Sequence, residues 1–184
     1  MTEPVSIRYN NPGAMWGGAR ATKWGATADV ILHDGQANHI AVFPTKVQGA
    51  AAQFDLWKTS YTGRSLADAI RRWSGENSSS AYAKFLEKAT GIGMTELVTT
   101  SLLAGARGLA LMKAQAQWEA GKPYPMSEAE WQQAQALVFA GVSPMPTPPP
   151  KPPAPAPQPA PVEKPSGWAA FFLAIAAIFK RKQP

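Results

Sequence analysis

Cysteine is absent from the 184-residue sequence, and histidine occurs only at His33 and His39. The lack of cysteine excludes disulfide bonds, a thiol nucleophile, zinc ribbons and iron–sulfur clusters. The two histidines have neither an HExxH nor an HxH spacing, so the sequence predicts no metal site. The chain also lacks a P-loop, a dinucleotide-binding glycine fingerprint and the GxSxG elbow of serine hydrolases. We therefore expect a protein that works without a metal or an organic cofactor.

The net positive charge is small over most of the chain and concentrated at its end. Residues 1–143 carry 13 basic and 11 acidic side chains, a net charge of +2, whereas residues 144–184 carry 5 and 1. A domain that binds nucleic acid is expected to carry a basic surface of its own, so the nearly neutral body predicts no nucleic-acid partner. Met1–Tyr9 has no apolar run behind a basic start, and we therefore predict no signal peptide.

Proline divides the chain. Twelve of the 18 prolines lie between Pro144 and Pro165. Such a run lacks the backbone donors of a helix or sheet and favours an extended polyproline II spacer. The sequence therefore predicts a domain over 1–143, a linker over 144–166 and a separate segment over 167–184. A ligand for an SH3-type partner is the alternative interpretation of the linker.

The last segment combines apolar and basic residues. Trp168–Phe179 is an apolar run of 12 residues, followed at once by Lys180-Arg181-Lys182. As a helix the run measures about 18 Å, which is short against roughly 30 Å of hydrocarbon in a bilayer. We expect Trp168–Lys182 to lie in a membrane interface with its cations on anionic head groups. A short or oligomeric span and a helix that docks on a partner protein are the alternatives.

Within the body, apolar residues mostly recur at helical spacing, and two β-like runs flank a turn. The sequence therefore predicts a mainly α domain with one small β-hairpin near its N-terminus. Residues 14–28 are expected to be irregular, and capping boxes are predicted at Ser65–Asp68 and Ser127–Glu130. The predicted strands are Asp29–His33 and Asn38–Phe43, and the predicted helices are 47–61, 66–73, Ser78–Ser80 to Gly91, Thr95–Leu103, Leu109–Ala120 and Ser127 to about Ala140.

The remaining candidates for chemistry are carboxylates. Glu76 stands in Trp73-Ser-Gly-Glu-Asn77, between two amphipathic helices. Partial burial beside an aromatic ring raises the pKa of a carboxyl, as a general acid for glycosidic cleavage requires. The alternative for Glu76 is a solvated loop residue, and Asn77 either donates to a sugar or caps the next helix. Glu119 is expected to be an ordinary residue of a last helical turn.

A set of motifs carries a resemblance to a known family. Ile7-Arg-Tyr-Asn-Asn-Pro-Gly13 resembles the IRNNNPGN opening of phage and bacterial murein-hydrolase-like proteins, which include virion-associated lysozyme-like hydrolases. Ile40–Thr45 and Gly49–Ala52 are similar to the β-like segment and the Gly-Ala-rich helix that follow in that family. Its later I-x-x-W-x-x-x-E-N-x-x-x-Y pattern is matched in order, with slightly different spacing, by Ile70, Trp73, Glu76, Asn77 and Tyr82.

The resemblance covers residues 5–120 and implies a lysozyme-like, mainly helical fold that cleaves the glycan strand of peptidoglycan. It casts Glu76 as the acid, places Asn10 and Asn11 at the site and has Tyr82 line the cleft. Turn building is the alternative for the two asparagines, and core packing is the alternative for Tyr82. The sequence departs from the family's pattern at Ala14, where the family often has Asn.

The chemistry then takes one of two forms. Water activated by a second carboxylate makes the protein a muramidase, whereas attack by the sugar's own 6-hydroxyl makes it a lytic transglycosylase. The candidates for a second carboxylate are Asp29, Asp34 and Asp55. A non-catalytic peptidoglycan-binding or virion structural module with a membrane anchor is the rival hypothesis, and a lytic protein that acts through its tail is a third. We expect the chain at the cell envelope, on its periplasmic face or associated with a membrane, with delivery by a phage as one route.

Overall fold

The computed structural model describes residues 3–32, 38–75 and 79–140. These residues form a mainly helical body with one small antiparallel hairpin, which confirms the predicted secondary-structure class. In chain order the elements are α1 (Val5–Arg8), α2 (Ala19–Lys23), β1 (Ala28–Ile31), β2 (His39–Val42), α3 (Lys46–Ser60), α4 (Leu66–Trp73), α5 (Ser79–Thr90), α6 (Thr100–Ala104), α7 (Ala106–Ala120) and α8 (Glu128–Phe139).

Helix α3 is the centre of the core. It begins where the Thr45 side chain accepts a hydrogen bond from the Gln48 amide, and it packs against α8, α6 and α7. Phe54 and Trp57 are fully enclosed on this helix. Complete burial of such a side chain contributes roughly 2–3 kcal/mol through the hydrophobic effect. The core therefore holds α3 rigidly between the helices on either side of it.

The start of the body is tied to a late part of the chain. Helix α1 packs on α7, and the Tyr124 hydroxyl donates to the Ser6 carbonyl oxygen at 3.1 Å, across 118 positions of sequence. Tyr124 in turn packs edge-on against Trp131 of α8. The N-terminal residues are thus an integral part of the body.

Two secondary-structure predictions were wrong. The helix expected from Thr95 begins only at Thr100, because Leu97 bridges Ser65 in an extended conformation and Thr99 caps the helix. The stretch expected to be irregular contains helix α2 after Gly18. Ala21 of that helix is 1% exposed, so packing against the core orders a segment whose glycines suggested a loop.

One capping box is complete and the other is half formed. At α8 the Ser127 hydroxyl accepts from the Glu130 amide and the Glu130 carboxylate accepts from the Ser127 amide, as predicted. At α4 the Ser65 hydroxyl accepts from the Asp68 amide, but the Asp68 carboxylate accepts from the Ser65 hydroxyl. The Asp side chain is one methylene shorter than Glu, so it does not reach back to the backbone in the same way.

Several predicted features lie outside the described residues. They include the linker over 144–166 and the segment over 167–184. Within the described ranges, no helix combines the length and the apolar character needed to cross a membrane. Of the single residues named in the sequence predictions, those that lie outside the described ranges are His33, Asp34, Glu76, Asn77 and Ser78.

Candidate functional site

Asn11 fastens the turn at residues 10–13 to the hairpin. Its side chain is fully buried and donates to the Met15 carbonyl oxygen at 2.8 Å and to the Ala41 carbonyl oxygen at 2.9 Å. The side-chain oxygen Oδ1 of Asn11 accepts a hydrogen bond from the Met15 backbone amide at 3.0 Å. All of these partners are backbone groups, so the geometry supports the turn-building role of Asn11.

Asn10 seats the same turn on helix α3. It adopts a left-handed conformation with φ 53°. Its side-chain amide donates to the backbone oxygens of Phe43 at 3.0 Å and Pro44 at 3.2 Å. Its backbone oxygen lies so close to Gly49 that a Cβ there would overlap it. The close approach of the Asn10 backbone to helix α3 therefore requires a glycine at position 49.

The turn also packs against Trp73. A Cβ placed on Gly13 would lie 3.1 Å from Cζ2 of Trp73 and 3.1 Å from Cγ of Gln53. The structure therefore brings the Asn-Asn-Pro-Gly motif next to the tryptophan that precedes Glu76 in the sequence. These motifs are 60 residues apart in the chain, and the resemblance placed both at one site.

A carboxyl that the sequence did not single out lies beside this tryptophan. Glu119, in the last turn of α7, accepts on Oε1 a hydrogen bond from the Tyr82 hydroxyl at 2.7 Å and another from Trp73 Nε1 at 3.2 Å. We call Trp73, Tyr82 and Glu119 the carboxyl cluster. Burial raises the pKa of Glu119 to about 7, although the hydrogen bonds from Tyr82 and Trp73 oppose the shift.

Glu119 is not fully enclosed in the core, because the residue as a whole is partly buried. Both hydrogen bonds described for this side chain end on Oε1. The carboxyl is thus held through one oxygen by two donors.

Tyr82 is held in the carboxyl cluster by its packing in the core. It is 3% exposed, and its ring stacks on Trp118 with a centroid distance of 4.6 Å. Burial and then the neighbouring charge of Glu119 raise the pKa of Tyr82 well above its usual value. The hydroxyl therefore stays protonated and keeps donating to the carboxyl. Tyr82, predicted to line the cleft, is placed against a carboxyl by its packing in the core.

A buried amide network adjoins the cluster one turn earlier on α7. Gln115 Oε1 accepts from Gln53 Nε2 at 2.7 Å and from Trp57 Nε1 at 2.8 Å. Both glutamines are fully buried, and each retains one side-chain atom without a partner. Unsatisfied polar atoms in a core cost free energy, and proteins keep few of them. Polar groups therefore continue inward from Glu119 toward Gln53 on α3.

Two of the predicted second carboxylates, Asp55 and Asp29, contact other side chains. The third, Asp34, lies outside the described residues. Burial acts to raise the pKa of Asp55, but hydrogen bonds from Trp24 and Lys23 lower it overall. Its Oδ2 accepts from both of these residues at 3.0 Å, so Asp55 is a structural ion pair. Asp29 contacts His39 Nδ1 at 2.9 Å on the exposed hairpin.

Glu119 was not among the functional residues predicted from the sequence. The one local signal is its position, because a negative charge in the last turn of a helix opposes the helix dipole. Its hydrogen-bonding partners come from α4 and α5, which periodicity does not locate relative to α7. Comparison with protein families and with characterised proteins found no match to this chain.

Proposed function

We propose that the chain cleaves the glycan strand of peptidoglycan, with a lysozyme-like fold and a buried carboxyl as general acid. The observation that carries this proposal is Glu119, whose pKa of about 7 follows from burial between aromatic side chains. A general acid works best when its pKa lies near the operating pH. Glu119, which has such a pKa and is partly buried, meets that requirement.

The hydrogen bonds of the carboxyl cluster define the proton's place. Oε1 of Glu119 accepts from both Tyr82 and Trp73, so the transferable proton is carried on Oε2. In the proposed reaction Oε2 protonates the scissile glycosidic oxygen and the bond to the anomeric carbon breaks. In a muramidase, water activated by a second carboxylate then attacks the anomeric carbon. In a lytic transglycosylase, the sugar's own 6-hydroxyl attacks it and returns its proton to the Glu119 carboxylate.

Glu76 stays the acid predicted from the sequence. It lies outside the described residues, three positions after Trp73 in the chain. Glu76 and Glu119 are therefore separate candidates for the same role, and substitution of each one decides between them. Asn77 stays a predicted sugar contact.

Trp16 favours a second candidate function, a non-catalytic peptidoglycan-binding or virion structural module. This side chain is 65% exposed, and the neighbouring Gly17 lies against the carboxylate of Asp29. An exposed indole face beside polar groups is suited to stacking on a sugar ring. In either function we propose that the segment Trp168–Lys182 contacts a membrane and keeps the body at the cell envelope.

The test uses the full chain and purified Gram-negative peptidoglycan, with released fragments identified by mass spectrometry. Wild type is compared with Glu119→Gln, Glu76→Gln and the control Glu128→Gln, which removes an exposed carboxyl. Loss of fragments with Glu119→Gln alone supports Glu119 as the acid, and loss with Glu76→Gln alone transfers the role to Glu76. Anhydro-muropeptides identify a transglycosylase, and reducing ends identify a muramidase. A folded wild type that sediments with peptidoglycan but releases nothing supports the binding module.

A further inference from the structure

Three arginines lie near Tyr61. Arg20 and Arg64 both donate hydrogen bonds to Ser60, the residue before Tyr61, and Arg64 and Arg72 line the same depression in the surface. Burial raises the pKa of Tyr61, while the charges of Arg72, Arg64 and Arg20 each act to lower it. We call Arg20, Arg64 and Arg72 the arginine cluster. It gathers side chains from α2, from the connection before α4 and from α4 itself.

Ser60 holds two members of the cluster in place. Its hydroxyl accepts from Arg20 Nη1 at 3.0 Å, and its backbone oxygen accepts from Arg64 Nε at 3.4 Å. In the described part of the chain, none of the three arginines forms an ion pair with a carboxylate. Arg20 does face Asp55, but that carboxylate is already paired with Lys23 at 3.0 Å.

The cluster borders a depression in the surface. Arg64 and Arg72 line it together with Arg71, Asp68 and Gly75, and its volume is about 340 Å³. Arg71 and Asp68 neutralise each other in an ion pair of 3.0 Å. Among the described residues that line the depression, Arg64 and Arg72 therefore leave a net positive charge. Guanidinium groups at such a site are suited to bind carboxylates through paired hydrogen bonds.

Aromatic packing connects the arginine cluster to the carboxyl cluster. The ring of Tyr61 packs on Trp73 with a centroid distance of 5.7 Å, and Trp73 donates to Glu119. Arg72 precedes Trp73 directly on α4, and Gly75 of the depression follows two positions later. Two residues that line the depression therefore flank Trp73 in the sequence, and Trp73 donates to the candidate acid.

We propose that the arginine cluster binds the carboxylates of the peptide stems of peptidoglycan, so that the chain acts on peptide-bearing strands in preference to bare glycan. This inference rests on the proposed function. Peptidoglycan stems branch from the lactyl group of the sugar through an amide bond and carry free carboxylates along the peptide. Removal of the stem at that amide leaves only the lactyl carboxylate on the sugar itself. A positive site that binds the peptide carboxylates therefore distinguishes these two forms of one polymer.

The test measures kcat/KM of the full chain on peptide-bearing strands and on strands whose stems have been removed by an amidase. We compare wild type with the double variant Arg64→Gln/Arg72→Gln. The matched control is Lys84→Gln/Lys88→Gln, which removes two exposed positive charges from α5. We expect the arginine variant to lose about tenfold on peptide-bearing strands, since charge-assisted hydrogen bonds are lost, and less than twofold on stripped strands.

Equal activity of wild type on both substrates, or an equal loss on both in the arginine variant, overturns the inference and leaves the proposed function standing. If wild type cleaves neither substrate, the proposed function fails, and sedimentation with the same two polymers decides the inference. A preference for peptide-bearing material that disappears in Arg64→Gln/Arg72→Gln supports the carboxylate site. Binding without such a preference, or no binding to either polymer, refutes it.

Discussion

Substitution of Glu119 by Gln should stabilise the protein at neutral and alkaline pH. The carboxyl has a pKa of about 7 in the folded chain and 4.5 as its ordinary value. Because the folded pKa is the higher one, the stabilisation from proton binding is complete below pH 4.5 and is lost as pH rises through 7. Gln keeps an oxygen that accepts from Tyr82 and Trp73, and it is never charged.

The size of the effect follows from the two pKa values. Each tenfold difference in proton affinity is equivalent to about 1.4 kcal/mol, so the full difference amounts to about 3 kcal/mol. Because Glu119 is only partly buried, we expect Glu119→Gln to gain about 2–3 kcal/mol of unfolding free energy near pH 8. The gain should vanish only at about pH 3.5 and below, where Glu119 is neutral in both states of the wild type.

Urea unfolding followed by far-UV circular dichroism checks this at several pH values between about 3.5 and 8. The control Glu3→Gln removes an exposed carboxyl that forms no ion pair with a described residue, and it should parallel the wild type throughout. A difference between Glu119→Gln and wild type that does not change with pH would refute the argument that burial sets this pKa. A variant that is less stable than wild type at pH 8 but not at about pH 3.5 would show that the fold needs the charge.

Two further predictions concern the turn at residues 10–13. Gly49→Ala should lower the unfolding free energy by about 2 kcal/mol although alanine favours helices, because its Cβ overlaps the Asn10 carbonyl oxygen. Thermal denaturation measures this loss, with Gln132→Ala at an exposed position as the control. A variant more stable than wild type would contradict the prediction. Asn11→Ala should cost about 3 kcal/mol, since it leaves the backbone partners of a buried amide unsatisfied. Urea unfolding gives that value, and a loss below about 1 kcal/mol would mean that water replaces the amide.

Local rules located several helix ends from the sequence. Ser127 and Glu130 form the predicted capping box, and α7 ends at Gly121, which adopts the left-handed conformation with φ 66°. These features depend on neighbours within one turn of helix, so the residue types suffice. The start of α6 was mispredicted because Leu97 pairs with Ser65, a contact 32 positions away in sequence.

The candidate site was only partly predictable. The Asn-Asn-Pro-Gly turn, Trp73 and Tyr82 were identified from motifs, and Glu76 stays a prediction from the same resemblance. Glu119 could not be found in this way, because its environment consists of side chains 37 and 46 positions away. The pKa of a carboxyl depends on such neighbours and on burial, which periodicity alone does not specify.

The bond between Tyr124 and Ser6 has a consequence for how the chain is made. Ser6 leaves the ribosome first, and its partner follows only 118 residues later. At 5–20 residues per second this interval is roughly 6–24 s. During that time α1 and the turn after it lack α7, against which they pack. The body therefore closes late in synthesis, and its first residues complete the fold rather than begin it.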